Sequence, residues 1–268
     1  MARLAIYQPD ARAGARLMAA LGSVHELLPC ASWEELTEAL QAATVEGCLL
    51  DADHPSLEEA IPRIHSLRAR YPDFALIGFT ERDMAVQYFG LGASGMEGFV
   101  AATAGGMTTR NAVDEALAIR RGRVVMRELA QHVRSPAPAA VGWAVSHASV
   151  PATVEKLARA LGTSLRALRE GLRAKLLPTP LALMLWGRLV AAAARLQLDG
   201  RGVEETASAL GYASGPSLAR ATRTHLGATP VELASRGPEH VLESFVAHVT
   251  GTPIRVSLGP DKPDTAEP

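Results

Sequence analysis

The feature that most restricts how this chain can fold is a repeated unit: a short amphipathic helix that stops at a glycine, a polar turn, and a second helix. In the later copy, residues 202–230 read GVEETASALGYASGPSLARATRTHLGATP. Val203 and Ala207 lie four apart, Leu210 follows three later and Gly211 closes the run, the pattern of a helix with one apolar face and a glycine stop. Residues 212–215 are small or polar and make a turn. Pro216 suits a first helical position, so a second helix starts there with Ser214 or Gly215 as its cap. The earlier copy is TVEKLARAL at 153–161, then Gly162, Thr163 and Ser164, then LRALREGLRAKL, about fifty residues upstream. Helix, tight turn, helix is a shape that enters a DNA major groove.

Two such units joined by one long apolar helix resemble the DNA-binding domain of AraC/XylS-type transcription regulators, over residues 138–236. The residues that carry the likeness are Leu157, Ala158, Gly162, Ser164, Leu168, Thr179, Pro180, Arg188, Leu189, Ala207, Gly211, Tyr212, Arg220, Gly227, Thr229 and Pro230. Gly162 precedes Leu168 by six residues and Gly211 precedes Leu218 by seven, the asymmetry of that family. The resemblance implies a sequence-specific regulator, not an enzyme, with no catalytic residues and no cofactor. Its two helices would read successive major-groove segments on one face of double-stranded DNA, held by the apolar run at 181–198. Counted from Leu168 and Leu218 as core positions, Arg166, Arg169 and Glu170 face outward on the first recognition helix, and Ser217, Ala219 and Arg220 on the second. Arginine can read guanine through two hydrogen bonds and glutamate can accept from cytosine N4, so these are the candidate base readers. Arg173, Arg223 and Thr224, further along, are candidate phosphate contacts. Three positions differ from the family pattern: Leu172 and Thr222 replace core phenylalanines, and Leu177 replaces a glycine that ends the first recognition helix.

Residues 1–133 alternate strand and helix. Apolar runs at 3–7, 24–28, 47–52, 74–79 and 98–102 separate helical patterns at 12–21, 33–42, 57–70, 83–89 and 109–132. Five such repeats predict an α/β domain with a doubly wound, five-stranded parallel sheet, whose functional crevice lies at the carboxyl ends of the strands. There CLLDADHP places Asp51 after an apolar strand with Pro55 four later, and GFT ends the next strand at Thr80. These residues resemble the receiver domains of two-component response regulators, in which Asp51 would be the phospho-acceptor and Thr80 the switch hydroxyl. A receiver also needs two carboxylates at the end of its first strand, because Mg²⁺ takes oxygen ligands. Gln8 and Pro9 stand there, with Asp10 nearby, and neither Phe99 nor Ala101 supplies the family's lysine. Asp53 could help hold a metal. A degenerate receiver used for contacts, a phosphorylation-competent one and another flavodoxin-like module all fit these residues; the first is the expectation, with Asp51 silent and no metal bound.

The charge distribution fits this division. Residues 1–133 hold seventeen acidic against twelve basic side chains, residues 141–236 hold six against twelve, and the whole chain has a formal charge of −1. A basic module beside an acidic one is the pattern of a DNA reader with a separate control domain. Residues 134–140, RSPAPAA, predict an extended Pro/Ala linker. After residue 236 a short helix at 238–249 and a strand at 253–258 are expected, then a disordered end. The helix at 109–132 carries Arg120, Arg121, Arg123 and Arg127, either a solvated basic face or a surface that pairs with its copy in a homodimer formed through the first domain. Cys30 and Cys48 are too few for a disulfide framework and no signal peptide opens the chain, so a cytoplasmic protein is expected. GLGASG at 90–95 has the spacing of a dinucleotide loop but follows a helix and precedes a strand, the reverse of the required context. Arg188 and Arg195 interrupt the apolar run at 181–198, which argues against a membrane span, and the eight histidines show no metal-ligand spacing. The alternative from another class is a protein-interaction module or scaffold that keeps the DNA-binding fold without reading an operator; a phosphorylation-driven response regulator is a third.

Overall fold

The computed structural model describes residues 2–42, 45–54, 56–80, 92 and 95–258. The chain divides into two compact units, one ending at Arg120 and one spanning Arg121–Leu258.

In the first unit the strands are β1 Arg3–Tyr7, β2 Glu26–Cys30, β3 Gly47–Asp51, β4 Ala75–Thr80 and β5 Gly98–Ala101, all parallel and ordered β2-β1-β3-β4-β5. Helices α1 Ala11–Leu21, α2 Trp33–Gln41, α3 Leu57–Arg70 and α4 Gly106–Ala130 follow β1, β2, β3 and β5. Strand residues alternate between two cores because successive side chains leave opposite faces. Leu50 and Leu76 meet Leu36 and Ile64 on one side, while Leu49 and Ile77 meet Leu17 and Leu117 on the other. This is the expected doubly wound sheet. β2 lies two residues later than its apolar run suggested: Pro29 is inside it, which an edge strand tolerates because a missing N–H can face away from the sheet. The expected helix at 83–89 and Pro55 lie outside the described residues.

Arg120 and Arg121 of α4 do not belong to a solvated basic face. Arg120 is buried; its Nε donates to the Asp73 carbonyl (2.6 Å) and its Nη1 to Glu46 (3.3 Å). Arg121 pairs with Asp199 at 2.8 Å in the second unit, to which both belong.

The second unit is entirely helical among the described residues: α5 Ala137–Ser146, α6 Val154–Ala160, α7 Leu165–Ala174, α8 Pro180–Gln197, α9 Val203–Ala209, α10 Gly215–Leu226 and α11 Pro230–Thr250. The expected extended linker is half helix. Pro136 caps α5 and Pro138 sits in its first turn, where a proline's missing N–H has no intrahelical partner to lose. Ala137, Ala140 and Val141 are then free to enter the core. α8 supplies Leu183, Trp186, Leu189, Val190 and Ala193 to the same core, and its Gly187 lies where a β-carbon would strike Ala144 of α5. α11 bends at Gly237, whose φ of 76° suits glycine, so that Val241, Leu242 and Phe245 also reach this core. Residues 252–258 form no strand, yet Val256 is buried and its N–H donates to Glu243 (3.2 Å). The second unit, Arg121–Leu258, thus holds residues 134–140, the tandem helix-turn-helix region and residues 237–258. The expected disordered end begins outside the described residues.

Candidate nucleic-acid interface

The first helix-turn-helix is built from local hydrogen bonds. Thr153 caps α6 by accepting from Lys156 N–H (3.3 Å), and Ser164 caps α7 by accepting from Ala167 N–H (3.1 Å). Between them Gly162, at φ 67°, lets Thr163 N–H donate back to Ala158 (3.0 Å), a turn that favours glycine. Leu168 and Leu172 are buried with Leu157 and Ala158, so Leu172 holds the core position where a phenylalanine was expected. The opposite face exposes Arg166, Arg169, Glu170 and Arg173. Arg166 Nε donates to Glu170 at 2.8 Å, so these two candidate readers meet each other. Glu155 on α6 is held below the usual carboxylate range by its own backbone N–H and the Thr153 hydroxyl, with a smaller contribution from Arg169.

The second unit repeats the plan with different anchors. Gly211, at φ 70°, makes the turn, and Tyr212 N–H donates to Ala207 (2.9 Å). Ser214 is the cap of α10, and Gly215 N–H donates to Glu204 of α9 (2.8 Å), so the first helix also caps the second. The Ser217 hydroxyl accepts from Ser214 N–H (3.2 Å) and donates to its carbonyl (2.7 Å). It is thus engaged in the cap, and Ala219 is half-buried, whereas Arg220, Arg223 and Thr224 are exposed. Thr222 is buried in place of a phenylalanine, and its hydroxyl donates to the Ala219 carbonyl (3.1 Å). Arg188 of α8 ties the unit down. Its Nη2 donates to the Leu210 carbonyl (2.6 Å), and its guanidinium lies 4.3 Å from the centre of the Tyr212 ring. Burial pushes the Tyr212 hydroxyl's pKa up, against the pull of Arg188. Arg188 and Glu204 hold the turn before α10 and its first residue in place, a role not expected of them from the sequence. The signal for Arg188 was available: a charge inside an apolar helix has to find a partner.

At the carboxyl ends of the strands, Asp51 ends β3 and is buried, and its Oδ1 accepts from Asp53 N–H (2.8 Å). Burial pushes its carboxyl up, while that hydrogen bond and the Gln8 amide pull it down. The Thr80 hydroxyl donates to Asp53 (2.9 Å). Asp10 accepts from Ala13 N–H (2.7 Å) as the cap of α1. Asp51, Asp53, Gln8 and Thr80 are therefore brought together, and Asp10 serves the helix. Among the described residues no three His, Cys, Asp or Glu side chains gather as a metal would require.

Residues 157–236 match the family model described as a helix-turn-helix domain. No curated protein matches the chain. Among solved structures, RcsB from Salmonella enterica serovar Typhimurium bound to promoter rprA is 12% identical, with 68% of this chain and 97% of that one covered and a TM-score of 0.39. Full-length FixJ from B. japonicum is 15% identical over 82% of this chain and 95% of that one, at a TM-score of 0.38. A CheY-like protein, tadZ, from Pseudomonas aeruginosa PAO1 is 14% identical over 43% and 93%, at 0.39. Strand order, 2-1-3-4-5 and all parallel, gives the first unit the receiver/flavodoxin-like fold in its own right. No helix among the described residues is long and apolar enough to cross a membrane.

Proposed function

We propose that this chain, an AraC-type regulator with a receiver-like N-terminal domain, is a cytoplasmic, sequence-specific transcription regulator that reads two successive major-groove segments. The observation that carries the proposal is the pair of capped recognition helices, α7 and α10, each burying one leucine-centred face and exposing arginines on the other. Arg166, Arg169 and Arg220 are the reading arginines; Arg173, Arg223 and Thr224 hold phosphates. Ser217 acts through the cap of α10, and Ala219 adds at most an apolar contact. Control by the first unit does not use phosphorylation. Gln8 and Pro9 bring no charge for Mg²⁺, Asp10 is engaged as a helix cap, and the Thr80 hydroxyl is held by Asp53. The first unit instead forms a homodimer, which raises affinity by presenting four recognition helices to one DNA.

The test is a salt series. Cations released from the duplex make affinity fall steeply with salt, and a protein that meets six or more phosphates loses about a thousandfold between roughly 50 and 200 mM. Binding of the full chain to duplexes enriched from a random library, followed by fluorescence anisotropy, should show that slope together with preference for the enriched sequence. Affinity that is absent, or flat with salt, assigns the fold to protein interaction instead.

A further inference from the structure

The second recognition helix is short of reading groups. Of the three outward residues expected on α10, Ser217 is engaged in the cap and Ala219 is half-buried, which leaves Arg220. On α7 a carboxylate, Glu170, is exposed beside the arginines, whereas α10 contains no aspartate or glutamate. An acid reaches the amino end of α10 from α9 instead. Glu204 is exposed, and its Oε2 accepts from the N–H of Gly215, the first residue of α10, at 2.8 Å.

A difference between the two copies accounts for that placement. Glu155 and Glu204 hold the same position, second in the first helix of their unit. Glu155 is held by its own backbone N–H and by the hydroxyl of Thr153, the cap of α6. The cap of α9 is Gly202, which has no side chain to offer, so Glu204 turns to α10. Gly215 is fitted to it: a β-carbon there would lie 2.5 Å from Oε2, well inside van der Waals contact. Glu205 pairs with Arg201 (2.8 Å), whereas among the described residues no cation pairs with Glu204, and only its Oε2 is hydrogen-bonded.

We propose that Glu204 reads a base in the second major-groove segment, a role that rests on the regulator reading above. The amino end of a recognition helix is the part that meets base edges, and a group bonded to the first N–H of α10 stands at that end. An ionised carboxylate only accepts hydrogen bonds, and phosphates repel it. The donors that bases present in the major groove are the amino groups at cytosine N4 and adenine N6, while guanine and thymine present acceptors there. Glu204 therefore selects a base that carries an amino group and rejects guanine or thymine at the same place. Its bond to Gly215 fixes one oxygen and so positions the other, Oε1, before DNA arrives. The carboxylate that α10 lacks is supplied by its neighbour.

The experiment is selection of duplexes from a random library by the full chain, followed by fluorescence anisotropy on duplexes that differ at one base pair. Wild type is expected to enrich cytosine or adenine at one place adjacent to those that Arg220→Ala relaxes. Guanine or thymine put there should cost at least about fivefold in affinity, the lower end for a mismatched base pair. In Glu204→Gln the side-chain carbonyl can still accept from Gly215, and the group left outward is an amide that donates. That variant should cancel or reverse the preference at this one place, with the rest of the motif, the steep salt dependence and the melting temperature close to wild type. Glu204→Ala should leave the four bases nearly equal there. A wild-type motif with no such place overturns the proposal without any substitution. An unchanged motif in Glu204→Gln also overturns it, because the glutamate then serves only as a cap. Tighter binding of Glu204→Gln to every duplex with the motif unchanged does so too, since it marks a charge that merely repels phosphates. These outcomes leave a salt-dependent, sequence-preferring protein, whereas absence of DNA binding by wild type overturns the regulator reading and this role with it.

Discussion

Leu176→Gly is expected to make the second unit more stable. Three helix ends of the tandem domain close with the same turn, in which an N–H donates to a carbonyl five residues back: Thr163 to Ala158 (3.0 Å), Tyr212 to Ala207 (2.9 Å) and Leu177 to Leu172 (3.0 Å). The first two place Gly162 and Gly211 in the left-handed region; the third places Leu176 there, at φ 56°, where it is the one non-glycine with positive φ among the described residues. The glycine missing from the family pattern is thus felt at Leu176, one residue before Leu177. An L-residue in this conformation costs about 1–2 kcal/mol, and a glycine forfeits roughly 0.5–1 kcal/mol through its greater freedom in the unfolded chain. Leu176 is 91% exposed, so removing its side chain gives up almost no packing. The balance is a gain of about 0.5–1 kcal/mol, or roughly 2–4 °C in a unit of this size. Urea denaturation followed by tryptophan fluorescence measures it. In a Trp33→Phe background the remaining tryptophans, Trp143 and Trp186, both lie in the second unit, and the transition then reports that unit. The mirror substitution, Gly211→Leu, should lose a comparable amount. A Leu176→Gly midpoint at or below that of the parent would refute the reasoning, because the leucine would then contribute contacts that its exposure denies.

Arg169→Ala or Arg220→Ala should cost roughly 1–3 kcal/mol on the preferred duplex and relax choice at a few base pairs, whereas Arg223→Ala should weaken all duplexes alike; identical behaviour of the three on enriched and random DNA contradicts the division into readers and anchors. Asp51→Asn should stabilise the first unit at neutral pH. Burial raises the folded pKa of Asp51 above its unfolded value, so wild type gains from this group at low pH and loses that gain as pH rises through the folded pKa. The variant's advantage in urea midpoint should therefore shrink on acidification, and an advantage independent of pH would show another cause. Incubation with a small phosphodonor and Mg²⁺ should add no phosphate to the chain by mass spectrometry; a phosphate present on wild type and absent from Asp51→Asn reverses the reading of the first unit. Sedimentation of the full chain at tens of micromolar should show a dimer, and a strict monomer removes the proposed route to four recognition helices.

Local signals were legible and distant partners were not. Gly162, Gly211, Ser164 and Ser214 announced both helix-turn-helix units because a positive φ and an N-cap are written in one or two residues. The sheet was legible from its apolar runs, except where Pro29 cut the β2 run short. α5 was missed because its prolines read as a linker, although both sit where a helix start accepts them. The α4 arginines resembled a basic face because their partners Glu46, Asp73 and Asp199 lie far away in sequence. Ser217 shows a different limit. A serine near a helix start serves equally well as a cap or as a reader, and only the structure places its hydroxyl against Ser214.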